Sequence, residues 1–437
     1  MNNSPLSNKN NRESVSISDE LHPYNVDNID GQIQNLLTTM SKVGFLIDVE
    51  VINNLEVEVE DLLKKLSVRI FHHIGYDINL NSSKQIAKLL YEDLELPSGK
   101  KKKTGFSTDE VTLKKIKKLH PIIPLILEYR TVYKLKSTYL ESLRCRIEED
   151  GRIHSTFLLD VASTGRIVSR DPNLQNIPIR GSWGEKIRKA FIVPCEKILI
   201  AIDYSQIDLR VLTHFSKESK LIEAFKQNQD IHLSTAMEIF NKKASDITAD
   251  ERRIAKTVNF GIIYGISPHG LSESLEINQK QAAYFIKTYL DKYPQVKQYL
   301  DLSRQNALKN GYTETLGGEK RYIPELKSKN HFIRSSGERM AINYPIQGSS
   351  AEIIKLAMLD IDCEFVRRKL SSSKMILQIH DELVFEVENE EKDAVIKIVK
   401  EKMENVVKLI IPLKVSIKEG VNWGEMTEIL KLEMAIK

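Results

Sequence analysis

The sequence predicts an α+β fold in which a small sheet is interrupted by a long helical insertion. Three apolar runs are typical of strands: ILIAID, which ends at Asp203, and MILQIH and LVFEVE, which meet at Asp381 and Glu382. Segments with apolar residues at helical spacing precede the first run and separate it from the other two. The chain has 437 residues, so we expect roughly two to four subdomains.

The first 150 residues predict a tail followed by a helical lobe. Residues 1–25 lack an apolar signal core and are interpreted as a disordered tail. Apolar residues at helical spacing predict helix within residues 29–66, 107–118 and 123–148. Asn81 or Ser82 is suited to cap a further helix in NLNSSKQIAKLL.

From Gly151 onward the predicted pattern changes. Residues 152–194 are rich in turn signals and lead into the first strand. Residues 206–312 are helical in pattern, with Pro268 and Pro294 as breaks, and a further helix is predicted from Ser336 through Met358 and beyond. The strand tips of the interrupted sheet are therefore the expected place for chemistry.

Composition excludes several classes of protein. Hydrophobic residues make up 41% and charged residues 28%, as in ordinary globular proteins, and the net charge is +4. Three widely separated cysteines argue against a zinc site or a disulfide framework and suit a reducing compartment. No apolar run approaches the roughly 20 residues of a membrane span. We expect a cytoplasmic protein, with an organelle as the alternative.

One segment is strongly basic. Between residues 98 and 140, eleven Lys or Arg stand against three acidic residues. Such a stripe suits a nucleic-acid backbone, and it also suits a solvated lysine-rich face. The segment alone does not decide between the two.

Asp203 and Asp381 are the candidate metal ligands. They lie 178 positions apart, each at the end of an apolar strand. Pairing of both strands in one sheet would bring the carboxylates together, where they can hold hard cations such as Mg²⁺. Two such cations assist the in-line transfer of a phosphoryl group. Taken singly, each aspartate also suits an ordinary turn.

A stripe of cations and aromatic rings follows the first aspartate. In ERRIAKTVNFGIIYG, Arg252, Lys256, Phe260 and Tyr264 recur every four residues and so follow one helix face. Arg and Lys bind phosphate oxygens, and a flat ring supports a base. The stripe suits a nucleoside triphosphate, and an amphipathic helix with core aromatics is the competing interpretation.

Three segments resemble the signature motifs of family A DNA polymerases, and specifically the polymerase portion of the bacterial enzymes. They are DYSQIDLR, RRIAKTVNFGIIYG and QIHDELVFEV, and their order agrees as well. STGRIVSRDPNLQNIPIR, QDIHLSTAMEIF and GERMAINYPIQGSSAEIIK also resemble the family. The resemblance covers roughly residues 25 to 430.

The resemblance implies a right-hand fold with a small antiparallel palm sheet, helical fingers and a helical thumb. It implies N-terminal helices and thumb in residues 26–150, palm in 151–207, fingers in 208–332 and the rest of the palm in 333–437. It implies a DNA-directed DNA polymerase that uses two Mg²⁺ ions, with Mn²⁺ as a substitute. Its partners would be primer–template DNA and deoxynucleoside triphosphates, with no membrane.

The same resemblance assigns roles to individual residues. Asp203, Asp381 and the Tyr204 carbonyl would bind the metals, and Lys256 would also protonate the leaving pyrophosphate. The expected nucleotide-binding residues are Gln206, Asp208, His232, Arg252, Lys256, Phe260 and Tyr264. The expected DNA-binding residues are Arg166, Arg339, Asn343, Gln347 and His380, and Glu382 would support Asp381.

The chain departs from the family pattern at several positions. Asp208 stands where a longer glutamate blocks the ribose 2′-hydroxyl, which predicts a looser sugar gate. Phe260 occupies a position where family members carry Phe or Tyr, and Phe there implies discrimination against dideoxynucleotides. Gly317 replaces a bulkier residue, and Leu158 and Leu159 replace more polar ones.

Three alternatives remain open: a single-subunit RNA polymerase, a non-enzymatic DNA-binding descendant, and an enzyme whose main template is RNA. We expect a monomer without proofreading, since no exonuclease motif precedes the polymerase motifs. Proofreading would then come from a separate nuclease, and separate replication proteins are further expected partners.

Overall fold

The computed structural model describes residues 29–97, 101–102, 105–159, 161–178 and 181–429. The disordered tail predicted for residues 1–25 lies outside this part of the chain. None of the helices in the described ranges is both long and apolar enough to cross a membrane.

The N-terminal part is mostly helical, with short strands between the helices. Its elements are α1 (Ile29–Val43), β1 (Phe45–Ile47), α2 (Val49–Ile74), α3 (Ser83–Lys88), β2 (Lys101–Lys102), β3 (Gly105–Phe106), α4 (Glu110–Ile116), α5 (Ile122–Lys134) and α6 (Glu141–Arg144). A π-helical segment, Leu135–Leu140, joins α5 to α6. Ser82 caps α3 by accepting a hydrogen bond from the Gln85 amide, as the sequence predicted.

The prediction of continuous helical spacing over residues 29–66 was wrong at one point, because strand β1 separates α1 from α2. Gly44, in the left-handed region at φ +64°, follows α1, and Asp48 caps α2 by accepting a hydrogen bond from the Val51 amide at 3.1 Å. The three-residue run FLI between these signals is too short to disturb a helical periodicity averaged over nearly forty residues.

The next elements lead into the central sheet. They are β4 (Arg152–Ile153), β5 (Thr156–Leu158), β6 (Val168–Arg170), α7 (Ser182–Lys189), β7 (Phe191–Ile192) and β8 (Lys197–Tyr204). Strand β1 lies between β4 and β7 in a small sheet, and β5 pairs with β6. The N-terminal helices are thereby tied to the segment that enters the main sheet.

A long insertion follows β8. Its elements are α8 (Ile207–Ser216), α9 (Ser219–Lys226), α10 (Ile231–Phe240), α11 (Ala249–Ile263), α12 (Pro268–Leu275), α13 (Gln279–Lys292), α14 (Pro294–Asn310), β9 (Tyr312–Glu314) and β10 (Lys320–Tyr322). Pro268 and Pro294 occupy the first turns of α12 and α14, where proline costs no helical hydrogen bond. The predicted breaks are therefore confirmed as helix starts.

The chain then returns to the main sheet through α15 (His331–Arg368), β11 (Lys374–Ile379), β12 (Glu382–Glu388), α16 (Lys392–Asn405), β13 (Val415–Gly420) and β14 (Thr427–Glu428). The sheet order is β11-β12-β8-β13-β14, and all its pairings are antiparallel. Residues 199–202 and 383–385 are buried, which explains why these strands are continuous apolar runs rather than alternating ones. The predicted interrupted sheet is confirmed.

Glu352 fastens the β9–β10 hairpin to the long helix α15. Its carboxylate accepts hydrogen bonds from the Thr315 hydroxyl and, at 3.0 Å, from the Gly317 amide. A Cβ atom at position 317 would lie 3.0 Å from the Glu352 Oε2 atom. The glycine at this position therefore matches the close approach of the Glu352 carboxylate. Burial raises the pKa of Glu352 to about 7, although both hydrogen bonds oppose the rise.

Glu352→Gln should reduce the loss of stability at rising pH. Because the pKa of the folded state lies above the ordinary value of 4.5, stability falls as pH rises from about 4.5 to about 7 and then levels off. We expect the free energy of unfolding of the Gln variant minus that of wild type to be larger at pH 8 than at pH 5 by on the order of 2 kcal/mol. Urea denaturation at both values measures it.

The matched control is Glu390→Gln, at an exposed glutamate, which should leave the pH dependence of stability unaltered. Equal pH dependence in wild type and Glu352→Gln would contradict the raised pKa.

Candidate active site

The register of the main sheet places Asp203 and Asp381 at the same end of neighbouring strands. Asp203 lies near the end of β8 and is paired with Glu382, the first residue of β12. The Tyr204 amide donates a hydrogen bond of 3.1 Å to the Asp381 carbonyl oxygen. His380, at φ +50°, helps to reverse the chain before Asp381. The two aspartates, distant in sequence, thus converge as predicted from the strand pattern.

The carboxylates at this end of the sheet repel one another. Burial raises the pKa of Asp203 to about 6, Glu382 adds to the rise, and Lys418 and Lys256 oppose it. Burial also raises the pKa of Asp381 to about 7, with contributions from Asp208 and Asp203 and an opposing one from Arg166. A cation placed between Asp203 and Asp381 would relieve this repulsion.

The donor set fits a hard divalent cation. The Oδ1 atom of Asp381 is buried and has no hydrogen-bond partner within the described residues. The Arg166 Nη2 atom lies 3.7 Å from it. The ring of Tyr204 points into the core, where its hydroxyl donates to the Met403 carbonyl at 2.7 Å. Only main-chain atoms of Tyr204 therefore remain for a metal, and carboxylate and carbonyl oxygens are what Mg²⁺ prefers.

Clusters of three or more His, Cys, Asp or Glu suited to a metal are absent from the described ranges. A cation at Asp203 and Asp381 would therefore complete its coordination with main-chain, substrate or water oxygens. Such open coordination is usual for Mg²⁺ sites that act on phosphates.

Asp208 connects three parts of the structure. It lies on α8 with only 3% of its surface exposed. Its Oδ1 accepts a hydrogen bond from the Ser350 hydroxyl at 2.6 Å. Its Oδ2 accepts one from the Tyr264 hydroxyl at 3.1 Å, and the Arg166 Nη2 atom lies at 3.4 Å. Gln206 occupies the position before the first residue of α8 in a left-handed conformation, and its Oε1 atom is buried without a partner in the described residues.

Helix α11 presents the predicted stripe of cations and aromatic rings. A capping box of Thr248 and Glu251 starts the helix. Arg252 and Lys256 are exposed, and Phe260 and Tyr264 are partly buried at the other end. The Arg252 Nε atom lies 2.6 Å from an Asp230 carboxylate oxygen. Lys256 also lowers the pKa of Asp203, so the cationic part of the stripe acts on one of the strand-end carboxylates.

His232, on α10, lies beside this stripe and is neutral at pH 7. Its ring centroid is 5.7 Å from that of Phe260, and only 3% of its surface is exposed. Burial lowers its pKa to about 4 against the influence of Asp230. Its Nδ1 atom lies 2.8 Å from the Asn259 side-chain nitrogen. With that nitrogen donating, the ring proton sits on Nε2.

The residues predicted to face DNA fall in two groups. Arg339, Asn343 and Gln347 recur every four residues on α15 and so share a face. Gln347 shares a hydrogen bond with Tyr264, and Arg339 packs close to Gly265. Arg166 lies beside Asp208 and Asp381, and His380 is exposed at the hairpin tip.

Glu382, on β12, is paired directly with Asp203 on β8. Burial raises its pKa, while Lys418, Arg188 and a hydrogen bond from Trp423 oppose the rise. A cavity of about 310 Å³ is lined by Glu382, Lys418, Arg188 and Trp423 among others. Glu382 is thus held in place by its neighbours, consistent with the predicted supporting position.

Sequence reasoning missed three residues that face this site: Ser350, Asn259 and Lys418. Asn259 had a local signal, because it lies between Lys256 and Phe260 on the same helix. Ser350 had none, since a serine in an apolar helix is commonly bonded to its own backbone. Lys418 lies on β13, two residues from Ser416, the pairing partner of Asp203, and this register cannot be derived from the local sequence.

The sequence pattern of DNA polymerase family A matches residues 49–425. DNA polymerase I of Caldicellulosiruptor bescii is 46% identical over 400 residues, which cover 91% of this chain and 47% of that protein. DNA polymerase I of Bacillus subtilis is 46% identical over 391 residues, which cover 89% of this chain and 44% of that protein. The chain therefore spans less than half the length of these relatives.

Among solved structures, the chain is similar to the POL domain of Pol1 from M. smegmatis, in a complex with DNA primer-template and dNTP. The TM-score is 0.86 at 39% identity, over 90% of this chain and 70% of that one. This similarity confirms the predicted right-hand polymerase fold. The converging aspartates and the stripe on α11 thus occur in a chain that belongs to DNA polymerase family A.

Proposed function

We propose that this chain is a template-directed DNA polymerase that adds deoxynucleotides to a primer 3′-hydroxyl and releases pyrophosphate. The convergence of Asp203 and Asp381 beside the cationic end of α11 carries this proposal. Phosphoryl transfer needs charge stabilisation and positioning more than covalent chemistry, and this arrangement offers both. The relationship to family A polymerases supports it.

We propose that Asp203, Asp381 and the Tyr204 carbonyl hold two Mg²⁺ ions, for which Mn²⁺ can substitute. When bound, such ions lower the pKa of the attacking hydroxyl and neutralise charge on the leaving group. The raised pKa values of both aspartates and the unpartnered Asp381 Oδ1 atom support this assignment. Glu382 supports the site from the adjoining strand.

The triphosphate lies along α11 in this proposal. Arg252 and Lys256 bind its oxygens, His232 donates from Nε2, and Lys256 protonates the departing pyrophosphate. Arg252 is paired with Asp230 at 2.6 Å, so it is held in position before the nucleotide arrives. Phe260 and Tyr264 form the surface for the base.

The sugar of the incoming nucleotide lies by Gln206 and Asp208. Tyr264, whose hydroxyl is bonded to Asp208 in this structure, leaves that position when the fingers close. Arg166, Arg339, Asn343, Gln347 and His380 face the primer–template. Every base pair presents an acceptor in the minor groove, so donors there test pair geometry without reading sequence.

We also propose that the enzyme is a monomer and that its subdomains have the boundaries inferred from the sequence. An RNA polymerase is the second candidate, and the buried acidic residue Asp208 at the sugar position disfavours it. Extension of one primed DNA template with dNTPs or rNTPs separates a DNA polymerase from an RNA polymerase. Extension on an RNA template tests whether RNA is the main template.

Asp203→Ala and Asp381→Ala should each reduce primer extension by about a thousandfold or more, because the remaining carboxylate holds the cations poorly. Single-turnover extension of a labelled primer measures the rate, and a gel-shift assay shows whether DNA binding is retained. Asp393→Ala, at an exposed aspartate of α16, is the matched control. Nucleotide addition at the wild-type rate by either active-site variant would contradict the proposal.

Asp208→Glu should tighten the sugar gate. The extra methylene brings the carboxylate nearer to the ribose, so we expect the ratio of dCTP to CTP incorporation efficiency to rise by about tenfold. Asp393→Glu serves as the control and should leave the ratio as it is in wild type. Equal ratios in wild type and Asp208→Glu would show that the shorter side chain already closes the gate.

A further inference from the structure

Both oxygens of the Asp208 carboxylate are held, by donors from three separate parts of the chain. Ser350, in the middle of α15, donates to Oδ1 at 2.6 Å. Tyr264, at the end of α11, donates to Oδ2 at 3.1 Å, and Arg166, between β5 and β6, lies 3.4 Å from the same atom. With only 3% of the residue exposed, these donors replace the water that the carboxylate lacks.

The three donors differ in whether substrate also acts on them. In the proposed function, Tyr264 moves as the fingers close and Arg166 contacts the minor groove. Ser350 is fully buried, on a face of α15 that packs against α8. Its contact with Asp208 is therefore the one that substrate does not disturb.

The Ser350 hydroxyl has one proton and two acceptors within reach. The Asp208 oxygen lies at 2.6 Å and the Ile346 carbonyl oxygen, four residues earlier on α15, at 3.0 Å. The shorter, charge-assisted bond is the stronger, so the proton goes to the carboxylate. Loss of this hydroxyl would remove a donor from Asp208 and would cost the helix little.

We propose that Ser350 is the positioning residue of the sugar gate and makes a short aspartate effective against ribonucleotides. Fixing Oδ1 turns Oδ2 towards the position of the Tyr264 hydroxyl, where the sugar of the incoming nucleotide would lie. A fixed carboxylate cannot rotate away to admit a 2′-hydroxyl. This inference rests on the proposed polymerase function and concerns discrimination between deoxyribose and ribose.

The test is single-turnover extension of a primed DNA template with dCTP or CTP, which measures slow variants as well as fast ones. In Ser350→Ala, we expect the ratio of dCTP to CTP efficiency to fall by about three- to tenfold, since one charge-assisted hydrogen bond is lost. Thermal unfolding checks that each variant is folded.

Ser349→Ala is the matched control. Ser349 is equally buried on the same helix, and its hydroxyl also bonds to a carbonyl four residues earlier, that of Pro345 at 2.5 Å. Its remaining contact is the Leu316 amide at 2.7 Å rather than Asp208. We expect its sugar ratio to stay within about twofold of wild type.

A double variant tests whether Ser350 acts on sugar discrimination through Asp208. In a chain that carries Asp208→Ala, Ser350→Ala should alter the ratio no further, because no carboxylate remains to be positioned. A further drop there, a wild-type ratio in Ser350→Ala alone, or an equal drop in Ser349→Ala would overturn the proposal. A wild-type chain that extends the primer with neither nucleotide would instead contradict the polymerase function itself.

Discussion

The pairing of β8 with β12 is the constraint on which the rest of this site depends. It places Asp203 opposite Glu382 and brings Asp381 beside Tyr204. Apolar residues are buried along both strands, and a slip of one residue in their pairing would turn Asp203 to the other face of the sheet. Burial that stabilises the sheet thus also holds like charges together, and these charges favour a bound cation.

The remainder of the site balances this negative charge. Arg166 lies between Asp208 and Asp381, at 3.4 and 3.7 Å from their oxygens. Lys256 and Lys418 approach Asp203 from α11 and β13, and both lower its pKa. Lys256, on α11, and Arg166, in the segment before β6, are proposed to bind substrate. The balance of charge therefore changes as substrate binds. Ser350 is neutral and buried, so its contact with Asp208 does not depend on that change.

The fold and the main site were predictable from the sequence where local pattern carries the information. Buried strands appear as apolar runs, and the stripe from Arg252 to Tyr264 follows helical spacing. Strand β1 was missed because three residues between two amphipathic helices hardly alter the periodicity. Ser350 was missed because it lies 142 positions from Asp208, and only the packing of α15 on α8 brings them together. Contacts of this kind depend on tertiary packing, which no local pattern encodes.

Diffraction at the manganese absorption edge tests the central claim most directly. The crystals would contain the chain, a primer–template with an intact 3′-hydroxyl, a matching non-hydrolysable dNTP analogue and Mn²⁺. We expect two anomalous peaks about 3.5–4 Å apart, both within coordination distance of oxygens from Asp203 and Asp381. A complex with the nucleotide bound along α11 and no anomalous peak between these two carboxylates would contradict the account.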